Sequence, residues 1–193
     1  MRPEQLKALE YLHRKGTLLP PREIHERVRA AFVATEEFLE GVSERAARRR
    51  PGPEEWCVQE VVDHLVETHR PSAHELACLL RGERPAGGPV PANLQSRAPL
   101  ERRWAELVAE LKELHAEVLA TLAAASEGSV PEARAPLVMV VNARNAAGSQ
   151  SPIEWVEELD WKAYAAAAFR LHEIDHLKQG QRALEAVDRK SVV

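Results

Sequence analysis

Apolar residues return every three or four positions through four long stretches of the chain, and prolines separate those stretches. Between Arg22 and Arg50, Ile24, Val28, Ala31, Phe32, Ala34, Phe38, Leu39 and Val42 keep this spacing and predict one amphipathic helix. Arg45, Arg48, Arg49 and Arg50 then sit where the negative end of its dipole favours positive charge. After Pro51-Gly52-Pro53 a second helix is expected from Glu54, with Val58, Val61, Val62 and Leu65 turned inward. Pro71 removes a backbone donor and crowds the preceding turn, so it is expected to kink or break that helix before the pattern resumes through Leu76, Leu79 and Leu80. Residues 81–99 hold four prolines and three glycines and read as a long loop. Leu100, Trp104, Leu107, Val108, Leu111, Leu114, Val118, Leu119 and Leu122 then form the clearest stripe in the chain, a third helix that ends before residue 126.

Leu137 to Val141 is a short β-branched run, an extended segment or small strand within a connection that continues through residues 142–152. The last helix is expected to start at about Ile153 or Asp160, with Pro152 suited to a first-turn position, and to end near Val187. Its inward stripe includes Ala165, Ala168, Phe169, His172 and His176. Gln5 to His13 adds a short helix packed on the outside. Four long amphipathic helices and no convincing sheet predict an all-α, four-helix bundle, a single domain over 1–193 with its core at about 22–187.

Composition agrees with a soluble globular protein. Apolar residues are 45% and charged residues 29% of the 193 positions, and a net charge of -4 gives no electrostatic reason to bind a polyanion, so no nucleic acid partner is expected. Cys57 and Cys78 are too few for a disulfide framework, which favours a reducing cytoplasm. No apolar run approaches the roughly 20 residues of a membrane span, and the N-terminal residues do not resemble a signal peptide.

Position sorts the eight histidines. His13, His25, His69 and His74 lie near polar stretches or expected helix breaks and read as surface or capping residues. His172 and His176 stand four apart on one helix, where both imidazoles can reach a single cation. His64, on the core-facing edge of the second helix, supplies a third ligand and leaves a coordination position open. Three core histidines satisfied by hydrogen bonds remain the alternative. Residues 172–176 also match the His-Glu-x-x-His pattern of zinc proteases, but the downstream third histidine of those enzymes is missing, with only Glu185 and Asp188 beyond. His115 lies on the third helix's stripe, either packed or supporting a ligand. Glu60, Asp63, Glu173 and Asp175 adjoin the candidate ligands and are candidates to orient an imidazole or handle protons. The tryptophans read as core or boundary packing.

Two segments carry a family resemblance. WCVQEVVDHL, from Trp56 to Leu65, resembles the W-S-x-x-E-x-x-x-H-L segment of the DinB/YfiT-like superfamily, and LHEIDHLKQ, from Leu171 to Gln179, resembles its H-x-x-x-H-x-x-Q segment. The resemblance extends from about Arg22 to Ala186 and leaves the N-terminal segment unexplained. It implies a four-helix bundle and places the family's metal triad on His64, His172 and His176, with nickel, zinc or iron all compatible with imidazole. Cys57 stands where the family has Ser or Thr; it is either a plain buried cysteine or a thiol whose pKa the helix N-terminus lowers.

The resemblance further implies a metal-dependent S-transferase or detoxification enzyme acting on a low-molecular-weight thiol, such as bacillithiol, mycothiol or glutathione, and an electrophilic small molecule. No protein base is assignable from the sequence. The alternative is a non-catalytic metal-binding stress protein, with a homodimer as one possible assembly.

Overall fold

Consecutive prolines open the first long helix, because Pro21 at the first helical position has a preset φ and a missing N–H that the helix does not need there. The computed structural model describes residues 1–125, 132–144 and 150–191; residues 126–131 and 145–149, within the two expected connections, lie outside the described residues. In order come α1 (Pro3–Leu12) with a π-helical turn (His13–Thr17), α2 (Pro21–Glu40), the one-turn α3 (Glu44–Ala47) and α4 (Val58–Leu80). A 3-10 turn (Pro99–Glu101), α5 (Trp104–Ala123), β1 (Ala135–Arg144) and β2 (Gln150–Leu159) follow. The chain ends in a continuous helical rod of α6 (Trp161–Ala165), a π-helical segment (Ala166–Leu171) and α7 (His172–Ser191).

The expected helix from 22 to 50 is divided. α2 stops before Gly41, and the Ser43 hydroxyl accepts from the Ala46 N–H at 3.3 Å to cap α3 afresh. The arginines therefore do not crown one long helix: Arg48 donates to Gln59 and to the Arg102 carbonyl, and Arg50 pairs with Glu60. α4 starts at Val58 rather than Glu54, where the Glu60 carboxylate reaches back to the Cys57 N–H at 3.0 Å. Pro71 does not break α4. Leu65 and Val66 before it and Ala73, Leu76 and Leu79 after it are all buried, and that burial offsets the roughly 3 kcal/mol cost of an interior proline. α4 ends at a Schellman motif: Glu83 N–H bonds the Cys78 carbonyl, Gly82 N–H bonds that of Leu79, and Gly82 has a φ of 77° that a side chain would resist.

The expectation of no sheet is corrected. β1 and β2 form an antiparallel hairpin with Met139 opposite Trp155, and the period-two alternation of Ile153, Trp155 and Glu157 belongs to a strand. Pro152 is thus a strand residue, tolerated because each strand of a two-stranded sheet is an edge. The last helix begins after Asp160, whose carboxylate accepts from the N–H groups of Lys162 and Ala163, both at 3.0 Å. α1 is not merely external either, since Leu12 is buried and Gly16 lies against Ala163.

α2, α4, α5 and the α6–α7 rod pack against one another, and α1 and the hairpin lie together at one side. The apolar core falls into two clusters. One gathers Ile24, Val28 and Phe32 with Leu76, Leu79, Val118, Leu122, Tyr164 and Phe169; the other gathers Leu39, Val58, Val62, Leu65, Leu107, Leu111 and Leu114 with Ala183. Each long helix contributes to both clusters, and between the two contributions lies a buried polar level. No helix among the described residues is long and apolar enough to cross a membrane.

Candidate metal centre

The helical phase of α4 and α7 carries three imidazoles to one point. Ring centroids of His64, His172 and His176 are separated by 5.0, 4.4 and 4.5 Å, and one nitrogen from each can be chosen so that all lie within 4.8 Å of one another. His64 is buried and the other two are half-buried. The three expected residues are therefore brought together. Nε2 of His64 and Nε2 of His172 are 3.0 Å apart, within a few tenths of an ångström of the roughly 3.3 Å expected of two nitrogens that share a tetrahedral zinc-type ion at about 2.0–2.1 Å.

Tautomers are set from behind. His64 Nδ1–H donates to the Leu94 carbonyl at 2.7 Å, and His176 Nδ1–H donates to Gln179 Oε1 at 2.9 Å, so both Nε2 lone pairs face the common point. Leu94 is presented by the loop after α4, which Asp63 holds through the Ser96 N–H and hydroxyl, both at 2.8 Å, and through Arg102 at 3.0 Å. Asp63 thus anchors a loop instead of orienting an imidazole itself, and Glu60 serves the start of α4. Burial lowers the pKa of His64, and burial together with neighbouring histidines takes His172 well below the ordinary value and His176 to about 4. All three rings are neutral at pH 7, the state in which imidazole is a ligand.

One side of this group is open. His172 and His176 form part of the wall of a cavity of about 720 Å³, with Tyr11 of α1, Met139 of β1, and Gln179 and Arg182 of α7 also on the wall. Asp175 lines the cavity too, on the exposed side of α7. Trp56, half-buried, packs beside the group, with its ring centroid 5.2 Å from that of His64 and 6.4 Å from that of His176. Sequence reasoning read this tryptophan as packing alone; its place one residue before the N-cap of α4, inside the family segment, was the available signal. Cys57 is fully buried and its thiol is pushed up to about 11 by burial, which removes the reactive-thiol alternative.

Three further residues form a second group that was not foreseen. His69, His115 and Glu173 are wholly buried and also bring one ligand atom each within 4.8 Å of the others. His69 is neither at the surface nor a cap, because α4 continues past Pro71 and keeps it inside. His115 stacks on Phe32 at 3.8 Å and donates from Nδ1 to Glu36 at 2.7 Å. His13 and His74 are exposed and His25 is half-buried, as surface residues should be.

No curated protein matches the chain. The family model of the DinB superfamily matches residues 26–179, a span that takes in all six clustered residues and leaves α1 outside. With that match over most of its length, the chain belongs to the DinB superfamily.

Proposed function

We propose that the protein is a metal-dependent enzyme with α2, α4, α5 and the α6–α7 rod as its four-helix bundle, in which His64, His172 and His176 hold one divalent transition metal ion. Nickel, zinc and iron all suit three imidazoles. The observation that carries the proposal is the pair of back-fixed rings, His64 on Leu94 and His176 on Gln179, aimed at a point beside an open cavity. A structural site is shut off from substrates by protein on every side; an open side suits a substrate.

The reaction class proposed is S-transfer from a low-molecular-weight thiol to an electrophile. When bound, the ion supplies Lewis acidity that favours the thiolate form of a thiol. The chain's own residues do the rest. The cavity lies in the 300–1,000 Å³ range of small-molecule sites, which is roughly room for a thiol and a second substrate together. Leu137 and Met139 offer an apolar wall to an electrophile, while Lys178 and Arg182 offer positive charge to the carboxylates of a peptide-like thiol. α1 and β1 complete the wall, so a segment outside the family match shapes what can enter.

The test is turnover. Protein loaded separately with each of the three metals is assayed with bacillithiol, mycothiol and glutathione against an alkylating electrophile. Saturable conjugation that disappears in His172→Ala is the expected result. Metal retained with no turnover across the panel would favour the non-catalytic metal-binding reading.

A further inference from the structure

The polar level that divides the apolar core contains a carboxylate and two imidazoles whose facing atoms stand too far apart to satisfy one another by hydrogen bonds. Glu173 Oε1 lies 3.5 Å from His115 Nε2, and Glu173 Oε2 lies 3.5 Å from His69 Nε2. None of these four atoms makes a hydrogen bond among the described residues, and all are buried. The three residues are 0–1% exposed, so water does not solvate them from outside. A carboxylate and two imidazoles left in this state inside a protein are strongly unfavourable. An N···O separation of 3.5 Å is too long for a strong hydrogen bond but matches the roughly 3.3 Å between two ligands held at about 2.0–2.1 Å by one tetrahedral ion.

We propose that His69, His115 and Glu173 form a second divalent-metal site, closed and structural, at the junction of α4, α5 and α7. Glu36 completes it from behind: it accepts from His115 Nδ1–H, which turns the Nε2 lone pair inward, the carboxylate–histidine arrangement common at metal sites. A divalent cation balances Glu173 and Glu36 with both imidazoles neutral. None of the three lines the large cavity, so the ion does no chemistry on substrates entering there. It ties three helices together at the level where apolar packing is interrupted, and it enters as the chain folds. The two groups share no residue, although the His69 and His172 ring centroids are only 5.9 Å apart.

Metal content per chain, measured by elemental mass spectrometry on untagged full-length protein refolded in zinc and then dialysed against a chelator, tests this. The His64→Ala, His172→Ala, His176→Ala triple variant separates this site from the open one. It is expected to keep one zinc ion per folded chain and to release it only when guanidinium unfolds the protein. Glu173→Gln in that background, which preserves the side chain's shape, is expected to take the content to none. A folded triple variant with no zinc, or a Glu173→Gln form that keeps the ion, overturns the proposal. If Glu173→Gln does not fold, anomalous scattering at the zinc edge from crystals of the triple variant decides, with a peak between His69 Nε2 and Glu173 expected and a peak elsewhere, or none, overturning it.

Discussion

Nε2 of His64 lies 3.0 Å from Nε2 of His172 across 108 residues of sequence. The approach depends on parts that neither residue controls. The loop after α4 must deliver the Leu94 carbonyl to His64, and the π-helical segment Ala166–Leu171 precedes His172 on the rod and sets its phase. Gln179 then holds His176 against the same point.

Gln179→Ala removes the acceptor that fixes the His176 tautomer while leaving the three imidazoles in place. Metal affinity at the open site is expected to fall roughly 10–100-fold, with Gln179→Glu retaining most of it. Competition with a chromophoric chelator reads this out, and equal affinity in Gln179→Ala would show that the ring needs no such support.

Glu60 ties the start of α4 to Arg50 and to the Cys57 N–H. Burial raises its pKa, but those partners win and hold it below the ordinary carboxylate value. A depressed pKa in the folded state means that the stabilisation is present above the unfolded value, about 4.3, and is lost as pH falls through the folded one. Glu60→Gln keeps an oxygen for the Cys57 N–H but loses the charge that Arg50 pairs with, and is expected to destabilise by about 1 kcal/mol or less at pH 7. Denaturant melts should show the gap to wild type closing as the pH drops below 4; a gap that does not depend on pH would contradict the assignment.

Glu75 behaves oppositely. Its burial outweighs the hydrogen bond that Tyr164 donates, and its pKa is raised. A raised carboxylate gives stability that is complete below the unfolded pKa and declines as pH rises through the folded one. Glu75→Gln, which still accepts from Tyr164, should therefore gain on wild type in thermal melts between pH 4 and 8, whereas parallel curves would remove the effect. Tyr164→Phe leaves the buried acceptor bare and is expected to cost about 1–3 kcal/mol.

Gly16 allows the turn after α1 to touch the last helical rod. A Cβ there would stand 2.8 Å from Ala163 Cα, a backbone atom that cannot swing aside. Gly16→Ala is expected to cost about 1–3 kcal/mol by overpacking, visible as a lower melting temperature. Because α1 forms part of the cavity wall, the same variant should weaken substrate binding more than metal binding; an unchanged melt would show that α1 is free to shift.

The stripes that run through α2, α4, α5 and the last rod were legible because helical periodicity is local: each position is marked by neighbours three and four residues away. The pair His172 and His176 was legible for the same reason, and so was His64, on the core-facing edge of its helix, with the family segment around it as a second sign. The errors share one source. Pro71 looked like a breaker, so His69 seemed to sit at a helix end, although its spacing from Leu65 and Val66 continues the buried stripe of α4. Whether a proline ends a helix depends on how much apolar surface its flanks bury against other elements, and that quantity is not local.

β1 was read only as an extended segment or small strand within a connection, and β2 was missed, on the same ground. The run 137–141 is short, and a strand exists only where another strand pairs with it. Glu173, next to His172 in sequence, could be seen as a carboxylate near a ligand, but adjacent helical positions point apart, and only the packing of α4 and α5 against α7 shows that it faces His69 and His115. Sequence alone determined the apolar stripes of the long helices and the three imidazoles that the fold brings together. Tertiary structure decided the hairpin, the cavity wall built by α1 and β1, and the buried His69–His115–Glu173 group, because each depends on contacts between residues whose separation along the chain carries no periodic signal.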